Sequence, residues 1–226
     1  MARVFHIPGV FFLFAAFVLL FLVSISLPYL PALDFARVHF GGNSAAGDVD
    51  TVTNLRFGSW GYCTYDSSGH RTCSAARNAY AVTVFNGQDR NTFVTIGPSW
   101  TRGLAVHPVA AGVTLIAFLL SLSTHLTFTL LASLASFLAS LIALVAFAID
   151  IALFAFVKHE MNKLSNTQAH TVPSAAFWMT FVSFILLFLA GSTVCFGRRR
   201  DRMAGSTSYP LTNKTSWRER FRFRRA

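Results

Sequence analysis

The chain is poor in charge, acids and cysteine. Lys, Arg, Asp and Glu make up 12% of its 226 residues, about half of the ~25% usual in soluble domains. Only nine residues are acidic. The three cysteines, Cys63, Cys73 and Cys195, are fewer than the four ligands of a structural zinc site. Nucleophile elbows, glycine-rich phosphate loops and His-x-x-x-His metal pairs are all missing. What lies outside the hydrophobic runs is too short for a separate catalytic domain of ordinary size. There is no internal repeat. These absences argue against an enzyme and leave no cofactor or metal to expect.

What the chain has instead is hydrophobic residues in runs. They reach 54%, with 24 Phe and a mean hydropathy of +0.51. Their concentration argues for a bilayer rather than a large soluble core. Four spans can be drawn, at about 9–27, 104–124, 126–157 and 175–196. Each reaches or approaches the ~20 residues that cross ~30 Å of hydrocarbon. Pro28 and Pro31 stop the first. Ser121, Ser123, Thr124 and His125 mark the hairpin between the second and third, and Pro108 and Pro173 sit where first-turn prolines are tolerated. The first run can also be read as a cleaved signal peptide, with Arg3 as its basic region and Ser24-Ile25-Ser26 as its cleavage site. Its apolar stretch is longer than the usual ~7–15 residues, which favours an uncleaved anchor.

Charge sets the expected orientation. From Gly197 to Ala226 ten Lys and Arg stand against Asp201 and Glu219, so this tail carries +8 of the net +10. Arg198, Arg199, Arg200 and Arg202 directly follow the fourth span and predict a cytoplasmic C-terminus. Four spans then put the N-terminus on the same side, and loops 28–103 and 158–174 outside. Arg218, Arg220, Arg222, Arg224 and Arg225 alternate with aromatic residues such as Phe221 and Phe223. This pattern fits an anionic inner leaflet, where each basic group contributes about 1 kcal/mol, and alternatively a solvated stop-transfer tail. Nucleic acid is not an expected partner of a tail held at a membrane. Cys195, at the membrane edge, is a palmitoylation candidate or a buried free thiol.

Asp150 is the sole acid within a span, and such a group is a functional candidate by default. Ala132, Ser136, Ala139, Ala143, Ala146 and Asp150 fall at helical three-and-four spacing and form one small-residue face. That face predicts a carboxylate turned toward the bundle, within reach of His107 or Arg102 near the second span's start. A structural pair, partner-helix recognition and proton sensing all remain open readings. His39, His70, His107, His159 and His170 fall on the outer side, and histidine changes charge nearest physiological pH. In the first loop, 55–65, 80–85 and 91–96 are rich in aromatic and β-branched residues, whereas 41–50 reads as a turn or flexible stretch. A small antiparallel sheet on the bundle is expected.

Gly58-Ser59-Trp60-x-x-Cys63, followed by Cys73, has the spacing of the claudin-type signature. Arg102-Gly103-Leu104-Ala105-Val106-His107-Pro108-Val109-Ala110-Ala111-Gly112 opens the second span. Together these resemble the fungal PalI family of tetraspan pH-response regulators, with the eisosome tetraspan proteins as relatives. The resemblance implies an all-α membrane protein: a four-transmembrane-helix bundle with a small extracellular antiparallel β-sheet stapled by a Cys63–Cys73 disulfide. Gly58, Trp60 and Arg102 are its motif residues, with Trp60 covering the bridge or anchoring the sheet at the lipid interface. It further implies a non-catalytic, multi-pass plasma-membrane protein of ambient alkaline pH signalling. Such a protein assists a separate multi-span pH sensor, its probable membrane-protein partner, in reaching or staying at the membrane. The alternative is a structural organiser of membrane domains of the eisosome or cell-cortex type. Homo-oligomers are compatible with either.

Overall fold

The fold was described from a computed structural model, which describes residues 2–41, 44–46, 51–86, 89–123, 126–164 and 168–207. The apolar runs form helices. They are α1 (Ala2–Ser24), a short α2 (Pro98–Thr101) continued by a 3₁₀ turn (Arg102–Ala105) into α3 (Val106–Ser121), α4 (Leu126–Met161) and α5 (Ala175–Thr207). Four stretches are long and apolar enough to cross a bilayer: Ile7–Ser24, Pro98–Ser121, Thr127–Met161 and Ala175–Thr193. The protein is therefore a multi-pass membrane protein. The second stretch opens at Pro98, ahead of the apolar onset expected at Leu104, because the α2 and 3₁₀ turns feed straight into α3. The fourth helix continues to Thr207, past the last apolar residues.

Small residues explain how these helices pack. Between lipid-bathed helices no hydrophobic force favours association, so close backbone approach and dispersion must supply it. α1 and α4 each pack on both α3 and α5. Ala132, Ser136, Ala139, Ala143, Ala146 and Asp150 of α4 are all buried. With them lie Ala110, Ala111 and Ala117 of α3, Leu13, Ala16 and Leu20 of α1, and Leu187 and Ala190 of α5. The buried hydroxyls do not disturb this face, because each donates to its own helix: Ser136 to Ala132 O at 2.6 Å, Thr114 to Ala110 O at 2.7 Å, and Ser183 to Met179 O at 2.7 Å. Leu134, Leu138, Leu141, Ile116, Leu119 and Phe188 are exposed on the outer faces, where acyl chains would meet them.

Two antiparallel sheets cover one end of the bundle. The strands are β1 (Ala36–His39), β2 (Ser44–Ala46), β3 (Asn54–Phe57), β4 (Tyr62–Tyr65), β5 (Arg71–Cys73), β6 (Val82–Asn86), β7 (Asp89–Ile96) and β8 (His170–Pro173). Five of them form a sheet in the order β5-β4-β3-β1-β8, and three form another in the order β2-β6-β7. Their inner faces share one core: Phe35, Val38, Leu55, Phe57, Tyr80, Val84 and Ile96, packed with Leu104 and with Leu153, Val157 and Met161 of α4. Burying one such side chain contributes about 1.5–3 kcal/mol.

The sheet is larger than expected. The segment 55–65 splits into β3 and β4 at Gly58–Gly61, where Gly58 N–H donates to Gly61 O at 2.9 Å. The segment 41–50, read as a turn, contains β2. Tertiary burial overrides the local composition there, and Ser44 exchanges hydrogen bonds with Val52, through its hydroxyl at 3.1 Å and its carbonyl at 2.8 Å. β8 comes from the second loop and takes in Pro173, which is thus the last residue of a strand rather than a first-turn proline. As an edge strand it has room for a residue without an N–H.

Cys63 and Cys73 are directly opposed on β4 and β5 and are bonded to each other. Closing a loop of this length stabilises by about 3 kcal/mol in the chain-entropy account. In intact cells a membrane-impermeant thiol reagent is expected to label neither cysteine before reduction and both after it. Cys63→Ser is expected to lower the thermal midpoint and to retain the protein in the endoplasmic reticulum; labelling before reduction would argue against the bridge.

Candidate functional site

The Gly58-Ser59-Trp60 motif sits on the C-terminal end of α1. A helix end leaves its last carbonyls without intrahelical donors. Here the first loop supplies them. Ser59 Oγ donates to Val23 O at 3.1 Å, and the Trp60 indole N–H donates to Ser24 O at 2.7 Å. The chain continuing past the helix is held as well: Ser59 N–H donates to Ser26 Oγ at 2.9 Å, and Trp60 N–H to Leu27 O at 3.3 Å. Gly58 has to be glycine because a Cβ there would collide with Leu27 Cβ and lie 2.8 Å from its Cα and N. Trp60 therefore acts through its indole N–H on a helix end. From Gly58 the contacts run on to the second span. Tyr80 OH donates to Gly58 O at 2.8 Å, and Thr101 Oγ1 donates to Tyr80 O at 2.6 Å. Burial pushes the Tyr80 phenol up, so it remains a neutral donor.

Below this junction the bundle holds its buried polar pair. His107 Nε2 lies 3.3 Å from Asp150 Oδ2, and both side chains are fully buried. His107 Nδ1 lies 2.9 Å from Leu104 O, an obligate acceptor, so Nδ1 carries a hydrogen. Nε2 is therefore the ring nitrogen turned to Asp150 Oδ2. Thr180 Oγ1 stands 3.4 Å from the same Nε2 while donating to Ala176 O at 3.0 Å. The Phe35 ring packs on the imidazole at 4.8 Å, which brings the sheet core into contact with the pair. Asp150 Oδ1 has no hydrogen-bond partner among the described residues. Arg102 lies on the exposed side of the 3₁₀ turn, so of the two expected partners of Asp150 only His107 reaches it.

A second polar cluster joins the segment after α1 to the segment before α5, and sequence reasoning missed it. Arg37 grips Asp34 with two bonds, Nε to Oδ2 at 3.0 Å and Nη2 to Oδ1 at 2.9 Å. Ser174 Oγ donates to Asp34 Oδ1 at 2.9 Å. The hydrogen bond to buried Asp34 pushes the Arg37 guanidinium up. Only an Asp three residues ahead of an Arg was visible locally. Ser174 lies 140 residues away, and nothing in the sequence pairs it with Asp34.

Of the remaining candidates, His39, His70, His159 and His170 are exposed, and the register of β1 and β8 sets His39 opposite His170. No group of three His, Cys, Asp or Glu gathers among the described residues. Cys195 lies on α5, its side chain outside those described, and Arg218, Arg220, Arg222, Arg224 and Arg225 also lie outside the described residues.

The sequence profile of the SUR7/PalI family matches residues 5–190. The chain belongs to the SUR7/PalI family. The match takes in the first three apolar stretches and most of the fourth, the α1 cap, the disulfide and the His107–Asp150 pair. A pH-response regulator protein, palI/prr-5, of Neurospora crassa is 33% identical over 159 residues, which are 65% of this chain and 20% of that protein. The chain thus spans about a fifth of that relative's length. In this SUR7/PalI chain a sheet cap is keyed into a helix end, above a bundle holding one buried polar pair.

Two outcomes are expected. Gly58→Ala forces Leu27 away from the motif and costs about 1–3 kcal/mol. Gly112→Ala, where a Cβ meets nothing within 4 Å, leaves stability unchanged or raises it by about 0.5–1 kcal/mol. Thermal unfolding in detergent separates them, and equal midpoints would remove the steric role of Gly58. Asp150→Asn keeps an N–H donor for His107 Nε2 and is expected to accumulate as wild type. Asp150→Leu leaves that nitrogen without a donor, because the Thr180 hydroxyl is given to Ala176 O, and costs about 1 kcal/mol, measured the same way.

Proposed function

We propose that this chain is a non-catalytic plasma-membrane component of ambient alkaline pH signalling that helps a separate multi-span membrane pH sensor to reach or stay at the membrane. The observation that carries this reading is the likeness to a pH-response regulator of the same family. The fold is consistent with it. The chain has four spans, a disulfide-stapled cap, and a polar pair whose hydrogen bonds stay within the bundle, and this arrangement offers a rigid surface to a membrane partner rather than a reaction centre. The arginines that follow the fourth span orient both termini toward the cytoplasm and the sheets outward. In this reading the tail, through Arg218, Arg220, Arg222, Arg224 and Arg225, rests on the anionic inner leaflet, and Asp150 and His107 hold the bundle in one register.

The family description also joins PalI with SUR7, which supports a second reading, an organiser of cortical membrane domains. Deletion and imaging separate the two. Alkaline-sensitive growth with uniform plasma-membrane signal is expected, together with a multi-span membrane protein co-purifying with the chain at acidic and alkaline pH. Stable cortical patches with normal growth at alkaline pH would favour the organiser.

A further inference from the structure

β1 and β8 form a short ladder joining the segment after α1 to the segment before α5. Its register pairs Ala36 with Pro173 and His39 with His170. One end is fastened by Asp34, Arg37 and Ser174, with Ser174 N–H also donating to Phe35 O at 3.1 Å. The other end carries two exposed histidines, directly opposite each other on the outer face of the sheet. Directly opposed residues of antiparallel strands share a face, with Cβ atoms about 4.5–5.5 Å apart. That spacing lets two imidazoles reach one ion at the usual Zn–N distance of about 2.0–2.1 Å.

Four observations bear on this pair. Neither imidazole is engaged by another side chain among the described residues. Asn54 continues the same rung on the β3 side, and its Oδ1 is buried without a hydrogen-bond partner among the described residues. A carbonyl oxygen thus stands unsatisfied on the rung of His39. Gln168, two residues before His170, holds a φ of +45°, and its side chain lies over Gly41, two residues after His39. Left-handed backbone at a residue other than glycine is strained, and such strain gathers at ligand clamps. Of the two arginines on the same face, Arg37 has its charge met by Asp34, and Arg56 donates to Pro31 O and lies over the Tyr65 ring.

We propose that His39 and His170 form a two-histidine site for a borderline divalent transition-metal ion, with Zn²⁺ as the representative, that clasps the open end of the β1–β8 ladder. Neutral imidazole is the preferred protein ligand for such ions, and water completes the shell. With two imidazoles the site is open and exchangeable, and it cross-links the two outer loops only while the ion is bound.

The test uses the full chain, purified in detergent with its disulfide intact. Zn²⁺ is titrated against a chromophoric chelator, with Ca²⁺ as a hard-ion control. One site per chain is expected, with no response to Ca²⁺. Losing a second-shell partner alone costs about 10–100-fold in metal affinity, so His39→Ala and His170→Ala should each lower it at least about tenfold, while His70→Ala does not. Independently of any variant, Zn²⁺ should protect His39 and His170, but not His70, from an imidazole-acylating reagent read by mass spectrometry. Wild-type affinity in both variants, or equal acylation with and without Zn²⁺, would overturn the site.

Discussion

The structure depends on how the C-terminal end of α1 is satisfied. A spanning helix that stops beneath a folded cap cannot rely on water for its last carbonyls, and each unmet carbonyl costs about 1–3 kcal/mol. The loop solves this with three consecutive residues. Gly58 permits contact with Leu27, and Ser59 and Trp60 then reach Val23 O and Ser24 O. Because the same three residues form the connection between β3 and β4, satisfying the helix end also fixes the sheet's height and orientation on the bundle. The disulfide ties β5 to β4, the strand that follows this key, which makes its role mechanical.

Beneath the cap, packing and electrostatics impose opposite demands. Close helix approach favours alanine and serine, as on α4, and leaves no space for solvent around a charge. An acid on that face therefore needs its partner supplied by the neighbouring helix. His107 meets that need because its other nitrogen is committed to Leu104 O, which leaves Nε2 pointed at Asp150. A carboxylate with one oxygen bonded and one bare is a poor relay and a serviceable register pin: sliding α4 by one turn would strand both groups.

Much of this was legible in the sequence. The four spans followed from run length, and the α4 face followed from three-and-four spacing, because in lipid the small residues alone mark the interface. Asp150 could be assigned to that face and His107 named as a partner, since both lie at the same level of their spans. The role of Trp60 was not legible: its acceptor is a main-chain carbonyl 36 residues earlier, and carbonyls carry no sequence signature. β2 and β8 were missed for a related reason. Each is short, and each is a strand only because a distant partner buries it, as Thr171 on β8 and Ala45 on β2 are buried. Asp34 and Ser174 belong to the same class, being local in chemistry and remote in sequence.

That remoteness orders the assembly of the outer face. β3, β4 and β5 are neighbours in sequence, so their pairing and the disulfide need nothing beyond the first loop. β1 needs β3 on one side and β8 on the other, and β8 exists only between α4 and α5. The five-stranded sheet can close only when all four spans are in place and α4 and α5 have turned back beside α1. Loop closure over this separation costs entropy that local pairings do not. The Asp34–Arg37–Ser174 cluster and the His39–His170 pair both sit on this last ladder, at its two ends. A completed β1–β8 ladder therefore reports to the outer surface that the bundle beneath it is assembled. A partner that binds across it would distinguish the assembled protein from one whose last two spans had not packed.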